Sequence, residues 1–155
     1  MKNLYFIGFK CHSCGKEYSP DKPWLLCEAC GGLLDAVYDY KAFRKNISLG
    51  SLRERTADIW RWKELLPVID FEKIVTLGEG YSPLLNCPRL AKKVGVKELF
   101  VIADSISSPT GSLKDRSIAV SATKAVEFGY DVLSCDSTGN KASSVAGYAA
   151  RAGLK

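Results

Sequence analysis

The sequence predicts an α/β fold, a partial open sheet standing behind an N-terminal four-cysteine ribbon. Three observations lead there. Cys11, Cys14, Cys27 and Cys30 are spaced C-x2-C-x12-C-x2-C. From residue 74 onward, short apolar runs alternate with stretches of helical period. The segments SSPTGSLKDRS and DSTGN each fall between an apolar run and the helix after it, the strand–loop–helix order of α/β folds.

Composition narrows the function classes. The chain has 155 residues, 46% apolar and 25% charged, enough for a packed core and unlike a disordered chain. The net charge of +5 is spread evenly, with 11 Lys/Arg against 8 Asp/Glu in residues 1–66 and 11 against 9 in residues 67–155. No basic block marks a nucleic-acid surface, and no apolar run reaches the length of a membrane span. MKNLYFIGFKCHSC runs from a short apolar stretch straight into the cysteines, without the longer apolar region and cleavage site of a signal peptide. A cytoplasmic location is expected.

Residues 1–40 are expected to form a zinc ribbon. The paired spacing lets two thiolates from each knuckle reach one tetrahedral ion, and thiolate softness favours Zn2+. Gly15 and Gly31–Gly32 follow the knuckles, where positive φ is needed. Four thiolates close the site, so the metal is read as structural and His12 as a solvated knuckle residue. Disulfides are the weaker reading in a cytosolic chain. Residues 41–73 form a connector with a helical segment, pinned by Trp60, Trp62, Leu65 and Leu66 and ended by Pro67; these aromatics are read as packing.

Residues 74–155 are the expected α/β part. IVTLGEGYSPLLNCPRL reads as short extended pieces and turns. LAKKVGV is a short helix ending near Gly95, ELFVIAD a buried strand and SISSPTGS a turn. Ile118, Ala122, Ala125 and Val126 then share a helix face that ends at Gly129. YDVLSCDS is the next strand. A second helix follows, with Ala142, Val145, Ala146 and Ala149 on one face and Gly153 at its end. Both loops therefore sit at the carboxyl edge of the sheet, where open α/β sheets bind ligands, and both offer free N–H groups at a helix start. Lys114 stands there alone. A lysine in a partly dry site is disfavoured as ammonium and becomes a nucleophile toward a carbonyl. The carbonyl cofactor that uses such a lysine is pyridoxal phosphate, while an exposed turn lysine is the plainer reading.

LGEGYSPL at 77–84, IWRWKELLP at 59–67, PTGSLKDR at 109–116, STGNKASSVAGYAARAG at 137–153 and the four-cysteine ribbon stand in one order along the chain. Together they resemble threonine synthases, most closely the microbial forms with an N-terminal zinc ribbon. The resemblance implies a fold-type II (tryptophan synthase β-like) pyridoxal 5'-phosphate enzyme. Such an enzyme takes a small amino-acid phosphate, O-phospho-L-homoserine, and water to L-threonine and phosphate. It implies that Lys114 bonds the cofactor and acts in catalysis, that Asn140 binds the cofactor's ring oxygen, and that Ser137, Thr138 and Gly139 lie by the substrate carboxylate. Where the family usually reads NPTGSFKDRG, this chain has Ser108, Leu113 and Ser117; after Asn140 it has Lys141 in place of Thr or Ser.

The family is also longer, with the glycine-rich phosphate loop and the residue facing the pyridine nitrogen further along than Lys155. Residues 74–155 are therefore read as an incomplete cofactor-binding domain, and the chain as the N-terminal portion of such an enzyme. A separately encoded C-terminal portion, or self-association, would cover the sheet edge. Two other readings stay open: a non-catalytic relative, and a zinc-ribbon interaction module.

Overall fold

In the computed structural model, which describes residues 1–155 with the side chain of Ser107 excepted, the ribbon is a three-stranded antiparallel sheet. Its strands are β1 (Phe6–Cys11), β2 (Glu17–Tyr18) and β3 (Leu34–Tyr38), in the order β2-β1-β3. The register of β1 against β3 shifts between Phe6 and Gly8. Gly8 is required at that bulge: φ is +151° and a Cβ would meet the Tyr18 carbonyl oxygen at 2.2 Å. Cys11, Tyr18 and Cys27 form the ribbon's small core, with Phe9, Trp24 and Leu34 against them.

The connector holds two short helices, α1 (Tyr40–Asn46) and α2 (Leu49–Arg53), capped by the side chains of Asp39 and Ser48. A 3-10 turn at Ile59–Leu65 follows and stops before Pro67. Trp60 is buried in the main core, as expected of a pin, and Leu66 packs on that core. Trp62 is instead exposed, at the kink where the 3-10 turn departs from helical φ/ψ.

The N-terminus is stapled to the body through residues 68–70. Asn3 Nδ2 donates to the Val68 carbonyl at 3.0 Å and Asn3 N to Ile69 O at 2.8 Å. Glu127 Oε1 accepts from the backbone nitrogens of Ile69 and Asp70 at 2.5 and 2.7 Å. Lys2 Nζ and the terminal amine both reach Asp70.

After residue 74 come β4 (Leu84–Asn86), α3 (Pro88–Val94), β5 (Phe100–Ile102), α4 (Asp104–Ser107), α5 (Lys114–Phe128) and α6 (Asn140–Ala152). Helices α3, α5 and α6 end on Gly95, Gly129 and Gly153 in the left-handed region, as the sequence predicts. The core lies where α5 meets α6: Ile118, Ala119, Ala122 and Tyr148 pack with Trp60, Val68 and Val75.

Four expectations are corrected. ELFVIAD contains a strand, but Phe100, Val101 and Ile102 are exposed, because β5 pairs with β4 alone, antiparallel. YDVLSCDS forms no strand. Its ladder-like contact among the described residues is to Lys155: Leu133 N donates to Lys155 O at 2.8 Å and Lys155 N to Asp131 O at 2.9 Å. That two-bond pattern is the parallel one. SISSPTGS includes the end of the one-turn helix α4, which begins at Asp104. On α6 the buried residues are Ser144, Tyr148 and Ala149, while Ala146 is exposed, because the Tyr148 side chain sets which face turns inward.

Tyr148 does so through Glu79, a wholly buried carboxylate. Glu79 Oε2 accepts from Tyr148 OH at 2.6 Å and Leu77 N at 2.9 Å, and Oε1 from Trp60 Nε1 at 2.6 Å. Thr76 Oγ1 lies 3.1 Å from Oε2. Burial first, then the bond to Glu79, raises the Tyr148 pKa far above its ordinary value, so the phenol stays a donor. The next residue, Gly80, has φ +103°, and a Cβ there would lie 3.0 Å from Ile59 N.

Two outcomes follow. Replacing Glu79 by Ala leaves the Trp60 and Tyr148 donors buried and unpaired, and should cost about 3 kcal/mol or more in urea unfolding. Asp70 titrates in the acid range: the Lys2 ammonium, then the Glu72 N–H, hold its carboxyl well below its ordinary 3.8. A depressed folded pKa gives stability that is present above the ordinary value and lost as pH falls toward the folded one. Urea midpoints taken between about pH 5 and about pH 2 should therefore fall less steeply for Asp70→Asn than for the unaltered chain.

Candidate functional site

The four ribbon cysteines converge. Their Sγ atoms all lie within 4.8 Å of one another; Cys11–Cys30 is 3.5 Å and Cys14–Cys27 is 3.6 Å. Each knuckle closes by the same backbone turn, Gly15 N to Cys11 O and Gly31 N to Cys27 O. Sulfurs about 2.3 Å from a common tetrahedral centre would stand at nearly these separations, so the cluster could hold one metal ion. Tyr18 OH, which accepts from Glu28 N at 2.9 Å, lies 3.0 Å from Cys27 Sγ and donates to it. That bond draws the Cys27 thiol down to about 6. At Cys30 the Gly32 N–H pulls downward, but the thiols of Cys11, Cys14 and Cys27 push it up to about 12. His12 is exposed and pairs with Asp35 at 3.1 Å, outside the cluster.

The second site is an edge built by three chain segments. Lys114 is the first residue of α5 and is exposed, and its Nζ makes no hydrogen bond or ion pair among the described residues. Asn140, also exposed, is the first residue of α6. Thr138 and Gly139 are exposed and Ser137 half-buried in the loop just before it. Since α6 has no side-chain cap, the N–H groups of Asn140, Lys141 and Ala142 lack intrahelical acceptors. A Cβ on Gly139 would meet nothing within 4 Å, so a ligand can approach the backbone there.

Residues that the sequence reading passed over tie this edge together. Asp115, wholly buried, bonds Thr110 and Ser144 and so joins the start of α5 to the first turns of α6. On the other side Arg116 Nη2 reaches Asp104 and, at 2.6 Å, Ser82. This brings in the loop 77–82, where Tyr81 holds a left-handed φ of +49°. Asp115 was legible: residues 115, 118, 119 and 122 are spaced i, i+3, i+4, i+7, one helix face, and the last three are apolar.

The departures have separate fates. Lys141 Nζ pairs with exposed Asp136 at 3.2 Å and holds that carboxyl below its usual range. Leu113 and Ser117 are exposed. Ser108 is buried, and its Oγ is the one buried side-chain polar atom without a partner among the described residues.

Residues 75–155 match the family of pyridoxal-phosphate dependent enzymes. The chain is 47% identical to threonine synthase of Methanocaldococcus jannaschii over 146 residues, 94% of this chain and 36% of that protein. It is 43% identical to threonine synthase of Methanosarcina acetivorans over 145 residues, covering 94% of this chain and 35% of that one. A third relative, threonine synthase of a Synechocystis strain, is 43% identical over 103 residues, 27% of its length. The chain thus spans little more than a third of the length of the relatives that match it almost throughout.

Proposed function

The chain belongs to the pyridoxal-phosphate dependent enzymes, and from that premise we propose that it carries the amine end of a threonine synthase-like active site. The reaction is the conversion of O-phospho-L-homoserine and water to L-threonine and phosphate. The observation that supports this best is the pairing of two helix starts: Lys114 opens α5, Asn140 opens α6, and Asp115 and Ser144 bond the two helices one step inside them.

The residues present fit two attachment points of the cofactor. Lys114 Nζ, without a partner among the described residues, would hold it at its aldehyde carbon, and the Asn140 side-chain amide would donate to its ring oxygen. When bound, the cofactor supplies an electron sink for negative charge developing on the substrate carbon. Lys114 Nζ is the group at this edge placed to hold and return a proton at that carbon. Ser137 and Thr138 hydroxyls and the free N–H groups at the α6 start suit the substrate carboxylate. The remaining attachment, a cradle for the cofactor phosphate, is assigned to the length of the relatives that this chain does not span, supplied as a C-terminal portion or a separate chain.

The four-cysteine cluster is proposed to hold a structural zinc, because four thiolates would fill a tetrahedral shell and leave no open position. Tyr18 would then orient and stabilise the Cys27 thiolate from outside the metal's own ligands. Six cysteines forming no disulfide suit a cytoplasmic setting.

Metal analysis of the purified chain should return one zinc per chain, and Tyr18→Phe should weaken zinc affinity by about tenfold; zinc near zero, with disulfides in its place, would sink the assignment. For the cofactor, a polar contact from Asn140 contributes about 1–2 kcal/mol, less than an ionic phosphate cradle. Pyridoxal phosphate should therefore label this chain weakly and reducibly at Lys114. Lys114→Ala should remove that label. Borohydride reduction and peptide mapping make the check, and a label on Lys124 or Lys141 with Lys114 clean would falsify the assignment.

A further inference from the structure

Asp115 directly follows the exposed Lys114, yet none of its surface is exposed. An acidic residue in the first turn of a helix is favourable simply through the helix dipole, but that role asks neither for burial nor for bonds to a second helix. Asp115 has both. Its Oδ2 accepts from Thr110 N at 2.9 Å, and its Oδ1 from Thr110 Oγ1 at 2.7 Å and Ser144 Oγ at 2.6 Å. The two hydroxyl oxygens stand 3.0 Å apart. With both protons directed at the carboxylate, they are held side by side by their shared acceptor.

We infer that Asp115 is a positioning residue for Lys114. It clamps the turn that leads into Lys114 onto α6, so that the amine and Asn140 keep a fixed separation. The inference rests on the cofactor reading of Lys114 and Asn140 given above. Its physical basis is covalent and short-ranged: Asp115 is one residue from Lys114, and Ser144 is about one helical turn from Asn140. A misplacement of about 1 Å between reacting groups costs on the order of a hundredfold in rate, so a clamp between the two helix starts bears directly on the chemistry.

The test uses the 155-residue chain with pyridoxal phosphate alone as the probe. Ser144→Ala removes one donor, and Thr110→Val removes another while keeping side-chain shape. Each should slow borohydride-trapped labelling of Lys114 by about tenfold, while background labelling of the exposed Lys97 is unchanged. Thr110→Ser, which keeps the hydroxyl, should recover most of the rate lost in Thr110→Val. Without cofactor, Ser144→Ala should also speed hydrogen exchange at the Thr110 amide by about tenfold, although Ser144 does not touch that amide. Labelling of Lys114 at the original rate in both variants, with only the urea midpoint lowered, would reduce Asp115 to a structural role and overturn the inference. If the unaltered chain is not labelled at Lys114 at all, the cofactor reading fails by itself. The exchange arm then decides the clamp, and unchanged exchange at Thr110 overturns that too.

Discussion

The fold depends on a carboxylate that pairs with no cation among the described residues. Glu79 is fully buried, and its oxygens gather a tryptophan N–H, a phenol, a threonine hydroxyl and a backbone N–H from three parts of the chain. Removing a carboxylate from water is expensive, and only good hydrogen-bond geometry offsets it. The arrangement is therefore intolerant of small displacements. That intolerance orders the connector around Trp60, the glycine-flanked loop 76–80 and the inward face of α6 with respect to one another. Apolar packing alone would leave more freedom here, because the facing residues Ala119 and Ala122 are small and have no shape that selects one rotation of α6.

Asp115 repeats the device one layer nearer the candidate site. Between them, the two carboxylates fix α6 at Tyr148 and at Ser144, a turn apart on the same face. The axial position and the rotation of α6 are thus set by polar bonds, and its exposed N-terminal residues inherit that placement. The division of labour is clear in the burial pattern. The anchoring acids are inside, whereas the residues offered to a ligand, Lys114, Thr138, Gly139 and Asn140, are outside.

The sequence made the local features legible and missed those set by partners. The C-x2-C knuckles converge as spaced, because each is a short turn whose geometry is local. The glycine helix ends and the α5 face were readable for the same reason. Glu79 was passed over because an acid between glycines looks solvated until its neighbours are known, whereas Asp115 did carry a signal in its helical spacing to Ile118, Ala119 and Ala122. Strand burial was the opposite error. ELFVIAD and YDVLSCDS have the composition of buried strands, but burial belongs to a sheet and cannot be supplied by one segment. Here β5 has β4 alone, and the strand-like backbone bonds of the 130–137 segment, among the described residues, are the two to Lys155.

Those exposed runs connect the fold to the comparisons. Phe100 and Ile102 are 50% and 64% exposed and Val132 53%, in segments whose apolar residues would be inside in a complete parallel sheet. The two bonds between Lys155 and residues 131–133 already follow the parallel pattern. The relatives that match this chain over 94% of its length are nearly three times as long. A sheet with unpaired strand edges and open apolar faces thus stands beside a lysine-bearing edge that is held from within by Asp115 and Arg116. The polar clamps therefore form among the described residues themselves, whereas the apolar side chains of β5 and of Val132 are left in water.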